Sequence, residues 1–271
     1  MSLHIASQPP LLDIDRYGAW CPALGEAIDD LVTPSVVDTL RAAKLGSISE
    51  MGSLLCVAID NSATLLRRIE EWIAAATVVA YHGTRLTDTE AGAIISKGLK
   101  VLKASDRELR IREVLSAHSR WAEVEGRLPG LIEAAGPSWA TKGYGKREGQ
   151  VHLTLSRAAL IGSFNHYLVE GSEFDSNIAM TLLGQDGRDL LHKVGAARIF
   201  KFELPGRAAL HAANPYGTAR QPINGVREIS NMFARWLSGA LETDPPYVDC
   251  GLQFEHDVPA EWLAGVEEVD V

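Results

Sequence analysis

The spacing of apolar and polar positions divides the chain into helical and extended segments. From about Pro34 to Ala76, apolar residues recur three and four apart, at Val36, Val37 and Leu40 and later at Leu65, Ile69, Trp72 and Ile73. That period predicts amphipathic helices. Pro34-Ser35 suits their start, because proline lacks an N–H that a first helical turn would leave unsatisfied. At Thr77-Val78-Val79-Ala80-Tyr81 the period gives way to a β-branched run stopped by Gly83, which reads as a buried strand. A helix is expected at once afterwards. Leu86, Ala93, Ile94 and Leu99 form its apolar face, Thr87 or Asp88 caps its start, and Gly98 stands where a left-handed C-terminal residue belongs.

Further along, Ser105-Asp106-Arg107-Glu108 has the spacing of a capping box ahead of Leu109, Ile111, Val114 and Leu115, which predicts a helical insertion running to about Ala135. Gly136 to Gly149 reads as a loop carrying Lys142, Lys146 and Arg147 near Trp139 and Tyr144. Val151 to Ser156 alternates like a half-buried strand, and a helix with Leu160 and Phe164 should follow. Ala197 to Leu204 is the clearest alternating strand, stopped by Pro205-Gly206. Ile229, Met232, Phe233, Trp236 and Leu237 mark an amphipathic helix, and a last strand is expected from Val248 through Leu252 and Phe254. Strands separated by short helices favour an α+β architecture. The expected organisation is an N-terminal helical cap over 1–76 and a main domain over 77–271, with the insertion at about 103–148.

Composition narrows the class. With 271 residues, 46% of them apolar, the chain can bury a sizeable core. A formal charge of −9 argues against holding nucleic acid by overall attraction. Cys21, Cys56 and Cys250 are far apart in the sequence, so neither a disulfide framework nor a metal site is expected. Met1 to Pro10 lacks the basic-then-apolar pattern of a leader, and no apolar run approaches the roughly 20 residues that span a bilayer. The expectation is a soluble, cytoplasmic protein with no membrane partner.

Taken alone, His82 between a strand and a glycine would read as a structural histidine. Its context changes that. Tyr81-His82-Gly83-Thr84, followed by Ile94, Ile95 and Gly98-Leu99, resembles the first signature of the diphtheria-toxin and poly(ADP-ribose) polymerase branch of ADP-ribosyltransferases. A glycine at a strand end lets backbone groups approach a flat amide, and an adjacent imidazole can hydrogen-bond a ribose hydroxyl. The resemblance implies that Gly83 holds the nicotinamide carboxamide of NAD+, that His82 holds the adenosine-side ribose, and that Tyr81, Thr84 and Arg85 border the same pocket. The second signature falls on His152, Thr154 and Ser156. Because Leu153-Thr154-Leu155 replaces the usual Tyr-Ser-Thr-like run, His152, Phe164 and Tyr167 all compete to stack on nicotinamide. The third signature is a glutamate at a strand end leading into a helix, and Val226-Arg227-Glu228-Ile229-Ser230-Asn231 resembles it.

The resemblance makes Glu228 the catalytic carboxylate, since a fixed negative charge stabilises the oxocarbenium-like ribose formed as nicotinamide leaves. Glu170 and Glu173 stay as rivals. Position 226 is Val, so the Glu-x-Glu or Gln-x-Glu pattern tied to arginine or asparagine targets is missing. Arg85, Arg157 and the Lys142 to Arg147 loop are candidates for the pyrophosphate. The implied fold is two small packed sheets with an NAD+ cleft between them. The implied activity is NAD-dependent mono-ADP-ribosyl transfer to a macromolecule, protein or nucleic acid, with NAD+ as co-substrate. Such a transferase would suit a bacterial toxin restrained by an antitoxin or other protein partner, or a phage-defence effector. The alternatives are an NAD+ glycohydrolase and a non-catalytic module that binds NAD+ or a partner.

Overall fold

Capping and apolar spacing set the helices, and β-branched runs set the strands. The computed structural model describes residues 9–43, 47–138, 148–163, 165–212, 223–239 and 251–271, with only the backbone of 135–138 and 223–224. The strands are β1 (Leu11–Leu12), β2 (Thr77–Leu86), β3 (Val151–Thr154), β4 (Ala196–Pro205), β5 (Gly251–Phe254) and β6 (Leu263–Glu268). The first helices are α1 (Tyr17–Ala27), α2 (Pro34–Ala42), α3 (Ile48–Ala58), α4 (Ser62–Ala75) and α5 (Asp88–Lys97). Then come α6 (Ala104–Leu115), α7 (Trp121–Val124), α8 (Leu128–Ser138), α9 (Arg157–Gly162) and α10 (His166–Glu170). The chain continues through α11 (Glu173–Leu183), α12 (Gln185–His192), α13 (Gly206–His211) and α14 (Ile223–Leu237).

The architecture is α+β. Among the described residues the strands form one six-stranded sheet ordered β5-β3-β2-β4-β6, with β1 paired to β2, in place of the two sheets expected. The two ten-residue strands β2 and β4 pair with each other, and β3 with β5 on one side and β6 on the other add to their free edges, so the strands share one ladder. β1 joins β2 in parallel, Leu12 opposite Val78. β6 runs antiparallel to β4 with Phe200 opposite Val266, and the register shifts between Lys201 and Phe202. No helix among the described residues is long and apolar enough to cross a membrane.

The chain divides into two compact units, 1–80 with 154–157 and 203–252, and 81–153 with 158–202 and 253–271. The sequence placed its boundary after Ala76; the first unit instead groups α1 to α4 with α13 and α14. In that unit α14 lies against α1, α2, α3 and α4, burying Ile229, Met232 and Phe233. Gly52 of α3 is required there, because a Cβ would fall 1.7 Å from the side-chain oxygen of Asn231. In the second unit α6, α7, α8, α11 and α12 enclose their own core, with Ile111, Leu115, Leu128 and Ala179 fully buried.

Two local readings change. The capping box expected at Ser105 does not form: α6 starts two residues earlier than that cap implies, with Lys103 as an N-cap that makes no side-chain cap bond. Glu108 pairs forward along the helix with Arg112 instead. The loop expected from Gly136 begins later, since α8 continues through Ser138, and 139–147 lie outside the described residues. By contrast Thr87 caps α5 with a full capping box, and Gly98 ends it at φ 74°. A Cβ at Gly98 would lie 2.1 Å from the Val258 carbonyl oxygen, and Leu99 pairs with Val258 through two backbone bonds of 2.9 Å. Gly98→Ala is therefore expected to destabilise the protein by at least about 1–3 kcal/mol, the usual cost of a strained backbone position. A thermal melt checks it; an unchanged Tm would show that the turn relaxes freely.

Candidate functional site

In the second unit a cavity of about 490 Å³ opens beside β2, and it is lined by His82, Gly83 and Thr84 of the first motif. Its volume is within the range of small-molecule sites. The other walls come from His152 of β3, the apolar face of α5, residues 99–103, the first turn of α6, Tyr167, and residues 171–174. The sequence builds this locally: β2 runs on through Gly83, where it was expected to stop, to Leu86, the Thr87 box then starts α5 immediately, and Gly171 at φ 77° turns the chain between α10 and α11.

His82 is fixed in orientation and in tautomer. Its Nδ1 lies 2.9 Å from the backbone oxygen of His152. A carbonyl only accepts, so Nδ1 carries the proton and Nε2 keeps its lone pair. Burial pushes the His82 pKa below its usual 6.5, against a smaller upward pull from that carbonyl. The neutral ring is therefore the form present at neutral pH. A ligand hydroxyl that donates to Nε2 is expected to bind with constant affinity from neutral pH down to about 6.5. Affinity should fall only once the pH drops through the depressed native value, where Nε2 becomes protonated. Calorimetric titration across pH 5 to 8 tests this, and a loss of affinity centred above 6.5 would contradict it.

Gly83 has a second duty that the motif does not reveal. A Cβ there would stand 2.7 Å from Cδ2 of Leu160 in α9, so the glycine also makes room for an apolar side chain of its own unit.

The other sequence candidates separate. Tyr81 is buried and absent from the cavity lining, whereas Tyr167 lines it, its ring 4.0 Å between centroids from His166. His152 lines the cavity, with Nε2 3.2 Å from the Gln150 side-chain oxygen. Phe164 and the Lys142 to Arg147 loop lie outside the described residues. Thr154 and Ser156 belong to the first unit. There Thr154 Oγ1 accepts the Ser156 N–H, and Ser156 Oγ donates to Asp15 at 2.7 Å. Arg157 also meets Asp15, through its backbone N–H at 2.6 Å. Arg85 does not line the cavity; its backbone oxygen accepts from Arg110, and its Nε is buried with no hydrogen-bond partner among the described residues.

Of the carboxylates, Glu173 lines the cavity and sits 3.3 Å from His166 Nε2. Glu170 is held by Arg188 and by Ser176 Oγ. Glu228 belongs to the first unit, in the second turn of α14, with 213–222 before that helix outside the described residues. Burial raises its pKa, and a hydrogen bond with Asn231 opposes that.

One feature of the wall escaped the motifs. Asp175 is fully buried and receives Nε and Nη2 of Arg107 and Nη1 of Arg110, the Nε contact measuring 2.9 Å and the Arg110 contact 2.6 Å. Arg110 Nε also meets Glu90 at 2.5 Å. Burial alone would lower the pKa of Arg107, but Asp175, with smaller help from Glu90 and Asp106, outweighs it and raises the pKa. A sequence signal did exist: Asp175 shares one helical stripe with Ile178, Ala179 and Leu182, and a carboxylate on an apolar stripe requires a cationic partner.

Compared with protein-family models, curated proteins and solved structures, the chain matches none of them.

Proposed function

We propose that the cavity of the second unit binds NAD+ and that the protein transfers its ADP-ribose to a macromolecular acceptor. The supporting observation is the gathering of His82, Gly83, Thr84, His152 and Tyr167 around one cavity of about 490 Å³, the residues whose order resembles the ADP-ribosyltransferase signatures. In this reading His82 Nε2 accepts a ribose hydroxyl proton, and Tyr167 is the stacking aromatic. The bond from the ribose C1′ to nicotinamide breaks with its electron pair leaving on nicotinamide. The acceptor then forms a bond to C1′ and loses a proton.

A carboxylate near C1′ stabilises the positive ribose in this chemistry. The proposal gives that role to Glu173, which lines the same cavity as His82, and keeps Glu228 as the rival from the sequence. The test incubates the purified chain with cell lysate and NAD+ labelled in its adenylate part, followed by protease or nuclease. Label retained on macromolecules and removed by one enzyme supports transfer and names the acceptor class. Nicotinamide release with no label retained would mean hydrolysis, and no consumption of NAD+ would refute the enzyme reading.

A further inference from the structure

We infer that the first turn of α6, outside the signature motifs, supplies the phosphate-recognising group of the cavity: Arg107, oriented by buried Asp175 and assisted by Lys103. The ligand's identity as a dinucleotide rests on the proposed function; recognition of a phosphate does not.

The cations formerly expected to do this do not line the cavity or fall outside the described residues, whereas Lys100, Lys103 and Arg107 line it. Lys100 is paired with Asp257 at 3.0 Å. Arg107 uses Nε and one N–H of Nη2 on Asp175. A guanidinium has five N–H groups, so three stay without a hydrogen bond among the described residues. Its side chain is 23% exposed, enough to present that edge to the cavity. Lys103 is exposed, one helical turn before Arg107, and makes no ion pair among the described residues.

The charge balance shows why a fixed fork matters more here than bulk attraction. Arg107 and Arg110 are offset by Asp175 and Glu90, and Asp106 adds a negative charge on the same turn. Selection for a phosphate therefore depends on directed donors, and Arg107 is held rigid on its far edge by a carboxylate with no exposure at all. Guanidinium groups fixed in this way bind phosphate through paired N–H groups. The same cavity is also lined by the apolar side chains of Ile94, Leu99 and Phe174, which suit a flat ring.

The experiment is calorimetric titration of the full chain, at fixed ionic strength, with NAD+, ADP-ribose, adenosine and inorganic pyrophosphate. Arg107→Ala is expected to weaken NAD+ and ADP-ribose about tenfold to a hundredfold, the usual effect of losing charged hydrogen bonds, while adenosine binding stays as in the wild type. Arg107→Lys should recover only part, because it restores charge without the fork. Lys103→Ala, on an exposed side chain that folding does not need, should weaken the same two ligands less and flatten their salt dependence. Equal weakening of NAD+ and adenosine would show a structural role and overturn the inference, as would unchanged NAD+ binding by Arg107→Ala. If the wild type binds pyrophosphate through Arg107 but not NAD+, the inference stands and the proposed function falls. If it binds NAD+ and the Arg107 variants do so equally, the reverse holds.

Discussion

Replacing Asp175 with Ala is expected to cost about 3–5 kcal/mol of folding stability, the range seen when one partner of a buried ion pair is removed. The carboxylate has no exposure and serves two guanidiniums that are themselves 23% and 11% exposed. Without it, Arg110 keeps Glu90 but Arg107 loses the only side chain among the described residues that hydrogen-bonds it. Urea denaturation followed by tryptophan fluorescence measures the loss, and Trp121 reports from the core that α6 and α11 share. The network is not stabilising merely because it is charged. Apolar replacement of buried ion-pair groups at similar volume is often neutral or better. A triple variant, Asp175→Leu, Arg107→Met and Arg110→Met, should therefore recover part of the stability, Glu90 being left with its Thr87 cap bonds, while weakening phosphate-bearing ligands. A loss below about 1 kcal/mol for Asp175→Ala would place the pair among solvent-screened contacts.

The second large effect concerns the carboxylate. Glu173→Gln keeps shape and removes charge, so nicotinamide release should fall about 10²- to 10³-fold, as when a transition-state-stabilising group is lost. NAD+ binding should remain, because the group acts on charge that develops only as the C1′ bond breaks. Glu228→Gln is the matched comparison. A fall in turnover that is larger for Glu228→Gln than for Glu173→Gln would return the catalytic role to α14 and leave Glu173 as a cavity-wall residue.

Local signals were the legible part of this chain. The start of β2 at Thr77, the Thr87 cap and the Gly98 stop appear where the sequence puts them, because capping, a left-handed glycine and a β-branched run each act over a few residues; the strand itself passes Gly83 and takes in Leu86, which the helical spacing assigns to α5. Pairing partners were not legible. The parallel contact of Leu11–Leu12 with β2 depends on residues more than sixty positions away. β6 reads weakly because its Leu263–Glu268 stretch is an edge, and most of its side chains face water. The site followed the same division. His82 and Gly83 stand out through their neighbours in sequence, whereas Glu173 and Glu170 are equal rivals there, and only the structure puts Glu173 on the cavity lining and leaves Glu170 off it. Arg107 was read as part of a cap, since nothing within four residues reveals a partner at 175.

The tautomer of His82 also imposes a demand on whatever enters the cavity. With Nδ1–H committed to the His152 carbonyl, Nε2 offers a lone pair and nothing else, so an occupant that bonds it must bring its own proton to that point. A sugar lacking the hydroxyl there would leave a buried acceptor unsatisfied, at a cost of about 1–3 kcal/mol. One lone pair would then separate a ribose from its deoxy counterpart.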